Sequence, residues 1–506
     1  MALFRTRSAA VYGIDAHMID VEVDMYPSGT TRDFVTVGMP DTAVRESRER
    51  IKSALLNSGF GYPSKSITIN LAPANVRKEG AGFDLPMALG ILGAMGTMKH
   101  AEAHMAVGEV SLDGAVRPVR GTLSVAVCAR REGIKHLIVP ADNAAEAAVV
   151  DGIFVHGVHT LAEAVGVANQ PDLCKPATST PPLAASDGEE PPDFRDVRGQ
   201  TTSKRALEVA AAGAHNVLMI GPPGSGKTML AKRLAGILPP LTFEEAIQTT
   251  QIHSVAGLLR GNAGRLSQRP FRSPHHTVSD AGLIGGGAGI PRPGEASLAH
   301  NGLLFLDELP EFARNVLEQL RQPLEEFSVT IARANMTLKF PARFMLVAAM
   351  NPCPCGHLLS GQHDCRCTPA IIARYLGKIS GPLLDRIDLH IDVPAVPYRE
   401  LRSNESGVTS AEMRERVLQA RDLQQKRGFY NAHIPSQYIR RLCELDAAGE
   451  RTLELAVRKM GLSARGHDRV LKVARTIADL DHSAGVQSKH LAEAVQYRSL
   501  DRTYWT

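Results

Sequence analysis

A glycine-rich loop directly behind a short apolar run is the feature that most constrains this chain. The apolar run covers residues 216–220, and the loop has the form GxxxxGK[ST]. In this form a buried strand enters a loop whose backbone N–H groups surround a polyphosphate, and the following helix adds its positive N-terminal end. Because the strand, loop and helix occur in the required order, a chance glycine-rich turn is the weaker interpretation, and we expect a nucleoside triphosphate site. The loop residues are Gly221, Pro222, Pro223, Gly224, Ser225, Gly226, Lys227 and Thr228.

Composition limits the class of protein. The 506 residues are 44% hydrophobic and 22% charged, as in an ordinary soluble protein, and the length suggests about three domains. A net charge of +4 is too small to indicate nucleic acid by itself. No apolar run follows Met1–Arg7, and none elsewhere approaches a membrane span. We therefore expect no signal peptide, no membrane partner, reduced thiols and a cytoplasmic location.

The order of patterns along the chain indicates three domains. Residues 169–192 are rich in Pro, Ser, Thr and acidic residues, which bury too little apolar surface to pack, so they are expected to be a linker. Alternating or apolar runs predict strands over 10–14, 19–23, 34–37 and 67–70, and a helix over 41–57. The predicted division is an α/β domain (1–168), the linker (169–192), a nucleotide-binding α/β core (193–397) and a helical domain (398–506).

Two carboxylates follow a second apolar run, residues 302–306. A buried parallel strand there would deliver Asp307 and Glu308 to the edge of the sheet where nucleotides bind. Lys227 would then reach the β- and γ-phosphates and Thr228 would bind Mg²⁺. Asp307 would hold Mg²⁺ through water, and Glu308 would polarise the attacking water. A solvated acidic turn is the alternative.

A third predicted strand, residues 344–350, ends at Asn351, whose amide suits a hydrogen bond to the γ-phosphate or the lytic water. Asn also simply favours turns. Arg386 lies close to the acidic residues Asp385 and Asp388 at the end of a predicted helix. It is either a buried ion-pair partner or an arginine finger for a neighbouring subunit, and the sequence leaves both open.

Together these motifs and the helical C-terminal part resemble an AAA+ ATPase. Residues 271–287 and 293–300 resemble its magnesium-chelatase-like branch, and nearly the whole chain resembles the YifB/ComM family of DNA branch-migration helicases associated with natural transformation. The resemblance implies a ring, expected to be a hexamer, with ATP bound between subunits. It also implies a sensor-2 arginine at Arg465, with Arg469 as a rival, and an adenine-side segment at residues 196–200.

The N-terminal domain resembles the Lon protease fold over residues 70–86, 108–121 and 134–140. That family uses a Ser–Lys dyad. Gly82 stands at the serine position, and the lysine position falls near Leu123 or Ser124. We therefore expect a non-proteolytic domain that contacts DNA or forms the ring. Its candidate DNA contacts are Arg77, Lys78, Arg117 and Arg120, with a solvated basic face as the alternative.

Residues 327–340 alternate as two short strands around a turn at 334–335, which predicts a hairpin. In the family resembled, such a hairpin points into the ring, so Arg333 and Lys339 are candidate contacts to DNA phosphates. The alternative is a hairpin whose charges face water. The glycine-rich insert, defined here as residues 273–294, carries His275 and His276 and is either a second pore loop or a solvated loop.

Four cysteines crowd into two C-x-C pairs: Cys353, Cys355, Cys365 and Cys367. Four thiolates can close a tetrahedral zinc site, and His357 or His363 could replace one of them. Free thiols and disulfides are the alternatives, although a reducing cytoplasm disfavours disulfides. We expect a structural Zn²⁺ that braces Asn351.

The leading functional hypothesis is an ATP- and Mg²⁺-dependent hexameric motor that promotes branch migration on DNA in homologous recombination. One rival is a magnesium-chelatase motor subunit, which is not expected to carry a Lon-like domain. The other is an ATP-dependent chaperone or protease, and the missing dyad disfavours the protease.

Overall fold

The computed structural model describes residues 2–27, 33–98, 104–178, 192–259, 264–287, 289–333, 336–358, 364–401, 407–500 and 504. Most of the predicted linker, the hairpin turn at 334–335 and His363 lie outside these residues. The fold is α/β, with a mixed sheet in the N-terminal part, a parallel sheet in the centre and helices at the C-terminal end. This is the predicted fold class.

The N-terminal sheet has seven strands in the order β3-β4-β2-β1-β5-β8-β9. Strands β1 and β2 form one long antiparallel hairpin that turns at Gly13, whose φ of 64° suits glycine. The predicted strand over 10–14 is confirmed only for residues 10–12, because the chain turns at Gly13, whereas the strand over 34–37 is confirmed in full. The strands of this domain are β1 Ala2–Tyr12, β2 Asp15–Tyr26, β3 Phe34–Val37, β4 Ser66–Ala72, β5 His104–Ala106, β6 Glu109–Val110, β7 Val116–Arg117, β8 His136–Pro140 and β9 Phe154–Val158, of which β6 and β7 form a separate two-stranded sheet.

Five helices accompany this sheet. The first begins where the sequence predicted, because the Asp41 side chain accepts a hydrogen bond from the Val44 N–H and caps the helix. Its buried side chains include Val44, Ile51 and Leu55, which pack into the core of the domain. The helices are α1 Thr42–Asn57, α2 Asp84–Ala94, α3 Thr122–Arg131, α4 Ala141–Ala147 and α5 Leu161–Asn169.

The central sheet has five parallel strands in the order β11-β14-β17-β10-β18. The inner strands are apolar at every position, since helices cover both faces of the sheet. Two short hairpins, β12–β13 and β15–β16, extend from it. The strands are β10 Val217–Ile220, β11 Phe271–Arg272, β12 Gly285–Gly286, β13 Arg292–Pro293, β14 Leu303–Leu306, β15 Ser328–Arg333, β16 Met336–Pro341, β17 Met345–Met350 and β18 Leu389–Asp392.

Helices of the central part connect these strands. The helix after the phosphate loop begins at Lys227 and ends at Ile237. The helices are α6 Thr201–Gly213, α7 Lys227–Ile237, α8 Phe243–Ala256, α9 Asp280–Ile284, α10 Glu295–Leu298, α11 Arg314–Gln319, α12 Arg321–Glu326, α13 Pro369–Leu376, α14 Gly381–Leu384 and α15 Tyr398–Leu401.

The C-terminal helices share one hydrophobic core with the central sheet and with α6 and α7. A buried polar network also joins the two parts: the carboxylate of Asp388 lies beside the side chains of Arg469 and His215. Burial raises the pKa of Asp388, but the charge of Arg469 and the hydrogen bonds outweigh it and leave that pKa well below its usual range. The helices are α16 Ser410–Arg427, α17 Ser436–Leu442, α18 Ala447–Met460, α19 Ala464–Leu480 and α20 Ser488–Gln496. In the described part of the chain no helix has the length and apolar character needed to cross a membrane.

Candidate active site

The phosphate loop lies between the end of β10 and the start of α7, as the sequence predicts. Gly224 and Gly226 have φ values of 74° and 89°, in the left-handed region that favours glycine. A Cβ atom at Gly221 would lie 2.1 Å from the carbonyl oxygen of Val393, so a side chain has no room there. The loop therefore needs its glycines for conformation and for packing against the strand next to it.

Lys227 is buried, and among the residues that the structure describes its hydrogen-bond acceptors are all neutral. Its Nζ atom lies 2.8 Å from the Gly221 carbonyl oxygen, 2.9 Å from that of Pro222 and 3.1 Å from Oδ1 of Asn351. Burial lowers the pKa of Lys227, while the negative charges of Asp307 and Glu308 act in the opposite direction. A buried ammonium group with neutral acceptors suits an anionic ligand such as a phosphate.

The two carboxylates lie at the carboxyl end of β14, opposite the phosphate loop. Oγ1 of Thr228 donates to Oδ2 of Asp307 across 2.6 Å. The N–H of Glu308 donates to Oδ1 of the same carboxylate across 3.0 Å, and Glu308 has a φ of 53° where the chain turns. Two oxygens this close at the mouth of the loop form a donor set suited to Mg²⁺, which prefers oxygen ligands.

His276 contacts the second carboxylate: its Nδ1 atom lies 3.6 Å from Oε2 of Glu308. The ring of His275 lies 4.0 Å from the ring of His276, centroid to centroid, and its own Nδ1 pairs with Thr277. From the sequence, these histidines were expected to lie in a pore loop or a solvated loop, and the contact with Glu308 was not predicted. The only signal was their position behind β11, which lies beside β14 in the sheet.

A cavity of about 790 Å³ lies beside the phosphate loop, within the range of small-molecule sites. It is lined by residues 197–205 and 394–397, among others, and so includes most of the segment predicted for the adenine side. Nε2 of Gln200 donates to the carbonyl oxygens of Ser225, at 2.7 Å, and Pro394, at 3.1 Å. Gln200 thus connects the wall of the cavity to the phosphate loop.

Arg386 lies at the edge of the sheet where the parallel strands begin, opposite the edge where they end and the phosphate loop follows. It precedes β18, whose residues Leu389 to Asp392 run parallel to Val217–Ile220, so it is far from the loop that follows Ile220. Its side chain is 6% exposed and forms an ion pair with Glu325. Within one chain Arg386 is therefore a buried ion-pair partner that does not serve the chain's own phosphate loop.

The two sensor-2 candidates differ in their surroundings. Arg469 is paired with the buried Asp388 and has a structural role in the chain. Arg465 is exposed in the first turn of α19, and its charge contributes to the lowered pKa of Glu325, after a hydrogen bond from Arg386. Arg465 thus lies near Arg386, at the same edge of the sheet.

The four clustered cysteines come together, and their Sγ atoms lie within 4.8 Å of one another. Three sulfur–sulfur distances are 3.3, 3.6 and 3.7 Å, close to the roughly 3.8 Å that a tetrahedral zinc with 2.3 Å Zn–S bonds requires. The backbone N–H groups of His357 and Arg366 lower the pKa of Cys355 to about 6, which favours its thiolate. His357 is not part of the cluster. The donor set fits Zn²⁺.

The segment that carries the four cysteines also touches the phosphate loop. A Cβ atom at Gly356 would lie 2.4 Å from Cδ of Pro223, and Gly356 has a φ of 82°. The segment that carries the cysteines therefore packs against the phosphate loop through Gly356, in addition to following Asn351 in the chain.

The predicted hairpin is confirmed as β15 and β16. Arg333 and Lys339 are both exposed, but they lie on opposite faces of it, because Lys339 pairs with Thr330 whereas Arg333 shares a face with the buried Ile331. Lys339 also lines a cleft that includes Tyr12 and Arg77 of the N-terminal domain. One straight strand of nucleic acid could not contact both basic side chains in the same way.

The N-terminal domain has no dyad at the positions matching the protease. A Cβ atom at Gly82 would lie 3.4 Å from the side chain of Val107, and Leu123 is fully buried. Oγ of Ser124 donates to the carbonyl oxygen of Ile14 across 2.6 Å. The prediction for Lys78 was wrong: it is fully buried and donates to the carbonyl oxygen of Pro73, so it cannot contact DNA.

A five-stranded parallel sheet with a phosphate loop, an Asp–Glu strand end and a polar sensor position defines an AAA+ nucleotide-binding fold. Models of the magnesium chelatase subunit ChlI match residues 21–143 and 193–401, and a model of its C-terminal part matches residues 407–498. The chain is 46% identical to competence protein ComM of Haemophilus influenzae, over 99% of this chain and 98% of that protein. It is 44% identical to uncharacterized protein YifB of Escherichia coli, over 99% of this chain and 98% of that protein. Lon protease 2 of Bacillus subtilis is 30% identical to this chain, over 29% of this chain and 28% of the protease.

The chain belongs to the YifB/ComM family of magnesium-chelatase-like AAA+ proteins. The match to a Lon protease is partial, in keeping with a Lon-like N-terminal domain.

Proposed function

We propose that this chain is an ATP-hydrolysing motor that assembles into a ring, expected to be a hexamer, and moves branched DNA during recombination and natural transformation. The arrangement of charged groups around the sheet carries the proposal. Lys227, Thr228 and Asp307 lie at one edge, whereas Arg386 and Arg465 lie at the other. A complete site then needs the arginine edge of a neighbouring chain beside the phosphate loop.

The chemistry follows from the charges at the loop. Lys227 and the N–H groups of the loop hold the β- and γ-phosphates, and Mg²⁺, when bound between Thr228 and Asp307, supplies charge neutralisation. Glu308 orients and polarises the attacking water, while Asn351 hydrogen-bonds the γ-phosphate. Arg465 of the neighbouring chain, and Arg386 once it leaves its ion pair with Glu325, stabilise the negative charge of the transition state. Each chain thus takes part in two sites.

The Cys353, Cys355, Cys365 and Cys367 cluster holds a structural Zn²⁺ in this proposal. Four thiolates leave no open coordination position, so the metal has no catalytic part. Its place against Pro223 fits a brace for the phosphate loop and for Asn351.

DNA is the proposed partner. We also propose that the motor acts in the cytoplasm. The support is the name of the competence protein that the chain resembles and the exposed basic side chains on the hairpin. Lys339 and Arg333 would bind phosphates without sequence preference, from the two faces of the hairpin. Binding should therefore weaken steeply with salt.

The decisive experiment measures ATP hydrolysis and strand movement with single-stranded, double-stranded and four-way DNA. We expect branched or single-stranded DNA to stimulate hydrolysis and labelled strands of a four-way junction to separate only with ATP. Hydrolysis that ignores DNA, with no strand movement, would contradict the DNA part and leave a chelatase-type motor or a remodelling factor. Glu308→Gln is the matched variant: it should bind ATP but neither hydrolyse it nor move strands.

A further inference from the structure

The insert is a closed segment whose base is tied by one ion pair. Nε and Nη2 of Arg272 lie 2.6 and 2.7 Å from the two carboxylate oxygens of Glu295, a two-point pair that joins the residues flanking the insert. Within it, Gly285 and Gly286 pair with Arg292 and Pro293 as a short hairpin. The ion pair therefore fixes the base of the insert, and the short hairpin links its first half to its second half.

One limb of the insert carries His276 onto Glu308, at 3.6 Å. The contacted atom, Oε2, is one of the two oxygens with which Glu308 would polarise water. At 3.6 Å the imidazole lies within ion-pair range of that oxygen, although beyond hydrogen-bond distance. The position of this limb therefore affects the catalytic group directly.

The other limb is held by the N-terminal domain. The N–H of Ile290 donates to Oε2 of Glu79 across 2.9 Å, over a separation of 211 residues. Arg77 forms an ion pair with the other oxygen of Glu79, at 2.9 Å, and the Glu79 side chain is 17% exposed. Ile290 and its neighbours Pro291 and Arg292 also line the cavity of about 520 Å³ that contains Gly82. The insert thus lies in the groove that contains Gly82, the position that the resemblance matches to the protease serine.

The insert also contacts the proposed DNA hairpin. A Cβ atom at Gly285 would lie 2.9 Å from Cδ1 of Ile331, and one at Gly286 would lie 3.8 Å from Nη2 of Arg333. Between Glu79 and Glu308 there is therefore a continuous path of backbone and side-chain contacts that passes the tip of the hairpin.

We propose that Glu79 is a positioning residue for ATP hydrolysis: by holding Ile290, the N-terminal domain keeps the insert, and with it His276, against Glu308. This inference rests on the proposed function, since it assigns Glu308 to hydrolysis. The N-terminal domain then restrains the motor in the absence of DNA. Loss of the Glu79 contact frees the insert and releases Glu308.

The test is the ATPase rate of the full chain without DNA, with kcat and KM for ATP measured separately. Glu79→Ala should raise kcat by at least about twofold, the lower end of coupling between contacting residues, and leave KM unchanged. Glu79→Gln keeps an acceptor for Ile290 and should stay near the parent rate. Glu49→Ala, which changes an exposed glutamate of the same domain, is the control. A kcat for Glu79→Ala at or below the parent value would overturn the inference.

A double-mutant cycle separates this role from a structural one. In a His276→Ala background, Glu79→Ala should have no further effect on kcat, because the path to Glu308 is already cut. Ile290→Pro, which removes the donated N–H, should reproduce the Glu79→Ala rate. An equal rise in kcat on Glu79→Ala in the parent and in the His276→Ala background would also refute the inference. A parent protein that does not hydrolyse ATP would instead contradict the proposed function, and failure to respond to DNA would leave this test intact.

Discussion

Nζ of Lys227 donates to Oδ1 of Asn351 across 3.1 Å, although the two residues are 124 positions apart. The contact joins the phosphate loop to the end of β17, the next strand in the sheet. In the proposed function, a γ-phosphate bound by Lys227 would also come within reach of the Asn351 amide. Nucleotide binding and sensing would then be coupled through this pair.

Lys227→Ala should reduce ATP hydrolysis by at least about a hundredfold, because it removes the buried cation aimed at the phosphates. The measurement is a titration with ATP, following phosphate release and binding of a fluorescent ATP analogue. Lys232→Ala, which removes an exposed lysine from the same helix, is the matched control and should keep the parent rate. Equal losses in both variants would argue against a specific phosphate role.

Arg386→Ala should reduce hydrolysis by about a thousandfold or more while ATP still binds, because Arg386 acts on the neighbouring chain's phosphate. Mixing Arg386→Ala with Lys227→Ala chains should restore part of the activity, since some interfaces then combine an intact loop with an intact arginine. The measurement is the ATPase rate against mixing ratio.

Two controls isolate the trans role of Arg386. A mixture of Lys227→Ala and Thr228→Ala chains should stay inactive, because every phosphate loop in it is defective. Glu325→Gln weakens the ion pair of Arg386 within the chain and should keep most of the activity. If Glu325→Gln is as inactive as Arg386→Ala, the arginine has only a structural role.

Cys365→Ser should remove zinc from the purified protein and lower its melting temperature, because three thiolates hold the metal less well than four. Zinc is measured by mass spectrometry of metals, and unfolding by calorimetry with and without a chelator. Because Gly356 packs on Pro223, ATP affinity should fall as well. Cys174→Ser, outside the cluster, is the control; a parent protein with no zinc and no response to chelator would rule the site out.

Glu146 should make stability depend on pH. Burial raises its pKa to about 7, against hydrogen bonds from Thr122, Ser254 and Asn143 that lower it. Between about pH 4.5 and 7 only the folded state holds the proton, so the free energy of unfolding should fall as pH rises through this window and then level off, by up to about 3 kcal/mol.

Glu146→Gln removes this ionisation and should flatten that part of the curve, making the variant relatively more stable at pH 8. The measurement is denaturant unfolding from pH 5 to 8 for the parent and the variant. Glu132→Gln, in a more exposed ion pair of the same domain, is the control and should follow the parent. A parent-like slope in Glu146→Gln would contradict the assignment.

Short contiguous patterns were read correctly from the sequence. The loop from Gly221 to Thr228 and the hairpin at 328–341 follow from local rules of conformation and alternation, so no distant contact was needed to predict them. The long β1–β2 hairpin was only partly predicted, because β1 breaks the simple alternation of buried apolar and exposed polar residues: Thr6 and Ser8 are buried, whereas Leu3 is exposed. The burial of Lys78 could not be predicted, since nothing in its neighbours along the chain shows that the carbonyl oxygen of Pro73 will accept a hydrogen bond from its ammonium group.

The sequence by itself determined the nucleotide chemistry of this protein, because the phosphate loop, the Asp307–Glu308 pair and the four cysteines are each local in the chain. Only the tertiary structure decided how these parts meet. It placed Arg386 at the edge opposite Lys227, Lys339 and Arg333 on opposite faces, His276 on Glu308 and Glu79 on Ile290. The physical reason is that residues distant in the chain become neighbours through strand order and domain packing, which no local pattern records.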